Sequence, residues 1–301
     1  MRAATRSVLF LALAFPLAVP AAPLPVGGGR DEAPLEQSWA DAIYNFGDSI
    51  SDTGNFLLES GGGVIGSLPY GETIGKATGR FSDGLLMIDY LAMLLRLPYL
   101  PPYLNKSSNF NHGINFAVGG ATALGPSFFI EKGVNLPTTN SSLNVQIQWF
   151  KSYLNSTCNT KGCAKILERA LFLIGEIGGN DYNYAFWDNK SIEEVKTYVP
   201  HVVNAIVHAI KEVINLGATQ LIVPGNFPIG CFPIYLTVFG KEDSIFDRRN
   251  CLRDWNEFAE FHNKYLQSSL NNLRRDYPNV LILYGDYYNA FLQLMDEANS
   301  Y

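Results

Sequence analysis

Apolar positions along the chain fall into two alternating kinds of segment. Short, nearly unbroken apolar runs occur at Ala42 to Phe46 (AIYNF), Ile114 to Val118, Ala170 to Ile174 (ALFLI), Thr219 to Val223 (TQLIV) and Val280 to Tyr284 (VLILY). Runs of this length without polar alternation read as strands buried on both faces. Ser82 to Leu97, Ser191 to Leu216 and Asn250 to Asp276 instead repeat apolar residues at helical spacing. Ser191 and Glu194 form a capping box, Gly217 stands at the stop position, and Pro278 follows the last helix. Strands alternating with helices predict parallel strands joined by crossovers. The expectation is an α/β three-layer fold with about five parallel strands in one domain. In such sheets chemistry gathers beyond the carboxyl ends of the strands.

The first residues have a different pattern. A basic stretch (Met1 to Arg6), an apolar stretch (Ser7 to Val19) and the small residues around Ala21 predict a secretory signal peptide over residues 1–21. The apolar run is short and broken by Pro16, whereas a membrane span needs ~20 apolar residues, so no integral membrane segment is expected in the mature chain. Residues 22–40, rich in Pro, Gly and Ala, predict a flexible leader before a domain over 41–301. The 28 acidic against 22 basic residues give a formal charge of −6, which argues against nucleic acid as a partner. Loss of the signal peptide removes Arg2 and Arg6 and no acid, making the balance more acidic. The oligomeric state stays open.

Secretion would also suit four sequons, at Asn105, Asn140, Asn155 and Asn189, and an even count of four cysteines. Three pairings are open to four cysteines. The short loop from Cys158 to Cys163 favours that pair, with Cys231 to Cys251 as the other. No histidine stands at zinc-finger spacing from them, so no metal site is expected.

Three segments that follow strands carry candidate chemistry. In Phe46-Gly47-Asp48-Ser49-Ile50-Ser51-Asp52-Thr53-Gly54-Asn55 a serine flanked by small residues can present its hydroxyl at a sharp strand-to-helix turn. The same residues also suit a helix cap. Ser51 stands where the G-x-S-x-G elbow needs glycine, so that motif is not met. Asn115 to Thr122 (NFAVGGAT) holds two glycines that offer backbone N–H groups to an oxyanion or simply make a turn. Gly178-Gly179-Asn180-Asp181 offers a side-chain amide, with a turn asparagine as the alternative. Gly61 to Gly66 fits G-x-G-x-x-G literally, but it follows the helical Phe56 to Ser60 and leads to Pro69, so it reads as a loop near the cleft entrance. Tyr182, Tyr184, Phe186 and Trp187 suit either a cleft wall or the core.

In this order the segments resemble the GDSL esterase/lipase family of the SGNH-hydrolase superfamily, in its large secreted plant branch. FGDSISDTGN, NFAVGGAT and GEIGGNDYN match its first three blocks, and the stretches at 68–84, 223–233 and 256–266 are similar to that branch as well. The resemblance implies a flavodoxin-like three-layer α/β/α sandwich and carboxyl-ester hydrolysis through a serine acyl-enzyme, with no cofactor. By position it makes Ser49 the nucleophile and an oxyanion N–H donor. Gly120, rather than Gly119, becomes the second donor and Asn180 the third. Substrates would be small-molecule or lipid esters.

The family closes with an Asp-x-x-His block that supplies the acid and the base of a triad. No Asp-x-x-His occurs in these 301 residues. His112, His201, His208 and His262 all precede the fifth strand, which is not where the family's base sits. The expectation is a domain lacking the family's C-terminal segment, with the triad Asp and His absent and hydrolysis impaired. The alternative is a catalytically dead secreted homologue with a binding or regulatory role.

Overall fold

The computed structural model describes residues 39–157 and 165–298. The signal-peptide stretch and the Cys158–Cys163 pairing lie outside the described residues. The strands are β1 (Ala42–Phe46), β2 (Gly113–Asn115), β3 (Ala170–Ile174), β4 (Gln220–Pro224) and β5 (Leu281–Gly285). The helices are α1 (Asn55–Ser60), α2 (Met87–Leu94), α3 (Pro126–Glu131), α4 (Leu143–Thr157), α5 (Gly179–Trp187), α6 (Ile192–Lys196), α7 (Val199–Leu216), α8 (Pro233–Phe239), α9 (Arg253–Asp276) and α10 (Tyr287–Asp296).

All pairings are parallel, and the strand order is β2-β1-β3-β4-β5. This flavodoxin-like order reverses direction between β1 and β3, and that is where a crevice opens beyond the strand ends. Alternation along each strand divides the core between two faces. Tyr44, Phe46, Phe172, Ile174, Leu221 and Val223 point to one side, where they meet the buried stripes of α4, α7 and α9. Ile43, Leu171, Leu173 and Ile222 point to the other side, against Ile88 and Ala92 of α2. Each fully buried side chain of this size contributes about 1.5–3 kcal/mol of transfer free energy. Ala40, at the end of the expected leader, is fully buried in the second cluster.

Two elements differ from expectation. The apolar run from Ile114 is a strand only through Asn115, although the Phe116 and Val118 N–H groups still donate to the carbonyls of Asn45 and Gly47 at 2.7 and 3.1 Å before the glycine pair. The stretch from Ser191 to Leu216 is two helices, α6 and α7, instead of one. Pro200 has no N–H for the carbonyl of Lys196, so a single helix cannot run through that point. Ser191 caps α6, its Oγ accepting the Glu194 N–H at 3.1 Å.

Candidate active site

Beyond β1 the chain makes a tight turn that carries Ser49. Gly47 has φ +151°, and a Cβ there would lie 2.8 Å from Ser51 Oγ and 3.1 Å from the Glu176 carbonyl, so glycine is required. The buried amide of Gln146 on α4 clamps the Gly47 residue from both sides. Gly47 N–H donates to Gln146 Oε1 at 2.9 Å, and Gln146 Nε2 donates to the Gly47 carbonyl at 2.8 Å. Asp48 N–H donates to the Glu176 carbonyl at 2.8 Å, which ties the exit of β1 to the exit of β3. Beneath the turn, Asn45 Nδ2 donates to Ser51 Oγ (3.1 Å) and to Asn115 Oδ1 (2.9 Å).

Asp52 links this turn to the glycine loop after β2. Its carboxylate accepts the N–H groups of Gly54, Asn55, Phe56 and Gly119 at 2.7–2.9 Å. The Gly119 N–H is therefore committed. Gly120 has φ +78°, and its carbonyl accepts the Tyr184 hydroxyl at 3.0 Å. Among the described residues the N–H groups of Ser49 and Gly120 have no hydrogen-bond partner. The contrast separates the two glycines as candidate donors.

Asn180 stands in the first turn of α5. Its Nδ2 donates to Asp48 Oδ2 at 3.2 Å and to the Ala121 carbonyl at 3.0 Å. One amide thus touches the residue before Ser49 and the residue after Gly120, so the three candidate segments meet at one end of the sheet. Ser49, Ile50, Asn180, Asn183 and Glu176 line a pocket there. Pro224 to Phe227, at and beyond the end of β4, and Phe232 and Tyr235 form its other wall. Gly120 is not among the lining residues. Nor is any part of the Gly61–Gly66 run, so that loop does not border the pocket as expected. Tyr182 and Phe186 are buried in the core, and Trp187 is exposed; none of the four aromatic residues at 182–187 lines the pocket.

Four acids surround the turn. Burial pushes Asp48 well above the usual carboxylate range, and the nearby Glu176, Asp181 and Asp52 add to the shift against the Ile50 N–H. Burial raises Asp52 to about 6 against its four N–H donors, and Asp181 to about 7 against those of Ala123 and Leu124. Glu176 is raised by burial as well. No histidine lines the pocket. His262 is buried, with Nδ1 2.7 Å from the Tyr182 hydroxyl, and burial lowers it to about 3, so it stays neutral. His201 and His208 are exposed on α7, and His112 lies 3.2 Å from the Asp41 carbonyl at the opposite end of β1.

Cys231, next to the lining residue Phe232, forms a disulfide with Cys251, and Asn105, Asn140, Asn155 and Asn189 are all exposed. No helix among the described residues is long and apolar enough to cross a membrane, and no three His, Cys, Asp or Glu side chains among them are grouped to hold a metal. Gln146 and Asn263 are structural members of the site that sequence reasoning passed over. Asn263 on α9 repeats the clamp at the loop after β4, accepting the Asn226 N–H (2.7 Å) and donating to its carbonyl (2.9 Å).

A serine on the turn after the first strand, with candidate N–H donors on the next two strand ends, is an arrangement compatible with an α/β serine hydrolase. The GDSL-like lipase/acylhydrolase family model matches residues 43–300, and the chain belongs to that family. It is 46% identical to acetylajmalan esterase 1 of Rauvolfia serpentina over 256 residues, covering 83% of this chain and 67% of that one. A GDSL esterase/lipase of Arabidopsis thaliana is 47% identical over 264 residues, 85% and 68% of the two chains. Sinapine esterase of Brassica napus is 45% identical over 269 residues, 86% and 69%. Membership places the chain among the carboxyl-ester hydrolases.

Proposed function

We propose that Ser49 is the nucleophile of a carboxyl-ester hydrolase that works through an acyl-enzyme. Its Oγ attacks the ester carbonyl, and the N–H groups of Ser49 and Gly120 and the Asn180 amide receive the developing oxyanion. The acyl group passes to Ser49 as the alcohol leaves, and water then releases the acid. The observation that carries this reading is the meeting of the three strand ends, where Asn180 bridges the Ser49 turn and the glycine loop beside the unengaged N–H groups of Ser49 and Gly120. The names of the relatives favour the ester of a small organic molecule as substrate. The signal-like residues 1–21, the disulfide and the four exposed sequon asparagines support a secreted glycoprotein. Endoglycosidase sensitivity of the product from secretory eukaryotic cells tests that route.

A polypeptide of these 301 residues brings no imidazole to the pocket to take the Ser49 proton. Loss of the base in a serine hydrolase lowers turnover by roughly 10⁶, with a residue of catalysis left to the oxyanion donors. For a polypeptide of these residues alone, the second reading is a homologue that binds without turnover. Hydrolysis of a short p-nitrophenyl ester, compared between this polypeptide and Ser49→Ala, separates them. Slow hydrolysis that Ser49→Ala lowers further supports the impaired enzyme. A rate unchanged by Ser49→Ala overturns the nucleophile, and fast Ser49-dependent turnover overturns the impairment.

A further inference from the structure

An oxyanion donor is useful only if its amide faces the right way, because the oxygen and nitrogen ends of an asparagine are nearly the same shape. In this chain the direction is set by a run of three side chains. Tyr235 on α8 is buried, and burial raises its phenol, so the hydroxyl keeps its proton and is a fixed donor at neutral pH. It donates to Asn183 Oδ1. With its oxygen engaged, Asn183 turns its Nδ2 outward and donates to Asn180 Oδ1 at 3.3 Å. With that oxygen engaged in turn, Asn180 presents Nδ2 to the Asp48 and Ala121 side, where the Ser49 turn and the glycine loop meet. Trp255 and Phe239 pack against the Tyr235 ring at 5.1 and 5.4 Å and fix the start of the run.

We propose that Tyr235 and Asn183 are positioning residues for ester hydrolysis, orienting the Asn180 amide toward the oxyanion through the relay Tyr235–Asn183–Asn180. The inference rests on Asn180 being an oxyanion donor. Successive donors of this kind also polarise one another, so the terminal Nδ2–H is a stronger donor than an isolated amide.

The test uses a short alkylboronic acid, which forms a tetrahedral adduct on a serine and puts an oxygen where the oxyanion sits, without turnover. Its affinity is measured by titration for the unaltered chain, Ser49→Ala, Asn180→Ala, Tyr235→Phe and the variant combining the last two, with the tetrahedral ¹¹B signal as the signature of the adduct. Asn180→Ala is expected to weaken binding by about 100-fold, and Tyr235→Phe by about tenfold. In the Asn180→Ala background, Tyr235→Phe is expected to change nothing further. Equal losses in both backgrounds, or no loss in the first, overturn the relay while leaving Asn180 a donor. No Ser49-dependent adduct in the unaltered chain, or an Asn180→Ala variant that binds normally, overturns the donor assignment and the relay with it. Should Tyr235→Phe fail to fold, Asn183→Ala carries the same expectations.

Discussion

Gln146 lies 99 residues from Gly47 and meets both its backbone N–H and its carbonyl, a pairing that resembles one rung of a sheet. A third bond, from Nε2 to the Ser141 carbonyl at 3.0 Å, fixes the amide itself. Replacing Gln146 with leucine keeps the volume but leaves the buried Gly47 N–H and Ser141 carbonyl without partners, at about 1–3 kcal/mol each, while the Gly47 carbonyl keeps the Val118 N–H at 3.1 Å. Gln146→Leu is therefore expected to lower unfolding free energy by about 2–4 kcal/mol. Urea denaturation measures it, and a loss below 1 kcal/mol would show that water replaces the amide. Residues of this type were the part of the site that sequence reasoning could not reach. Ser49, Gly120 and Asn180 stand inside short blocks whose order carries the resemblance. Gln146 and Asn263 act across the fold from helical surfaces, where an amide looks like any other polar residue.

At the scale of elements, legibility followed chain continuity. β1 and β3 were readable because five residues in a row with at most one polar side chain have few alternatives, and their ends match the expected ones. The start of α9 was not. Asn250 has φ +60°, Cys251 is bonded to Cys231, and the Leu252 N–H donates to the Gly230 carbonyl, so the helix begins only at Arg253. These ties hold the short turn at Ile229–Cys231 against α9 and so support α8, which carries Tyr235. Closing a loop of 20 residues removes about 3 kcal/mol of freedom from the unfolded chain in the loop-entropy account. The Cys231→Ser, Cys251→Ser pair is accordingly expected to lose about 3 kcal/mol of stability. If α8 is a platform for the relay, the same variant also loses boronate affinity under conditions where it remains folded. Unaltered affinity would separate the disulfide from the site and leave it a purely stabilising bond.

The whole molecule gathers buried acids at the carboxyl end of its sheet, and this gives its stability two opposed pH dependences. Asp52 and Asp181 have folded pKa values raised from 3.8 to about 6 and about 7. The fold binds their protons more tightly than the unfolded chain does. Their contribution is fully present below about pH 4 and is lost as pH rises through those values. His262 acts the other way. Its value is lowered from 6.5 to about 3, so the unfolded chain takes up the proton first, and stability is lost as pH falls from about 6.5 to about 3. Single variants separate the two slopes. Relative to Asp181→Asn, the unaltered chain is expected to lose stability between about pH 4 and pH 7 and to run parallel above that. Relative to His262→Gln, it is expected to lose stability on the acid side and to run parallel above about pH 7. Denaturation curves at successive pH values give both differences directly. Difference curves that stay flat for Asp181→Asn would mean that the Ala123 and Leu124 N–H groups, which donate to this carboxylate at 2.8 and 3.0 Å, stabilise its charge as well as water does. In that case Asp181 would be ionised well below neutral pH, and the glycine loop that it holds through Ala123 and Leu124 would be fixed by a charged carboxylate.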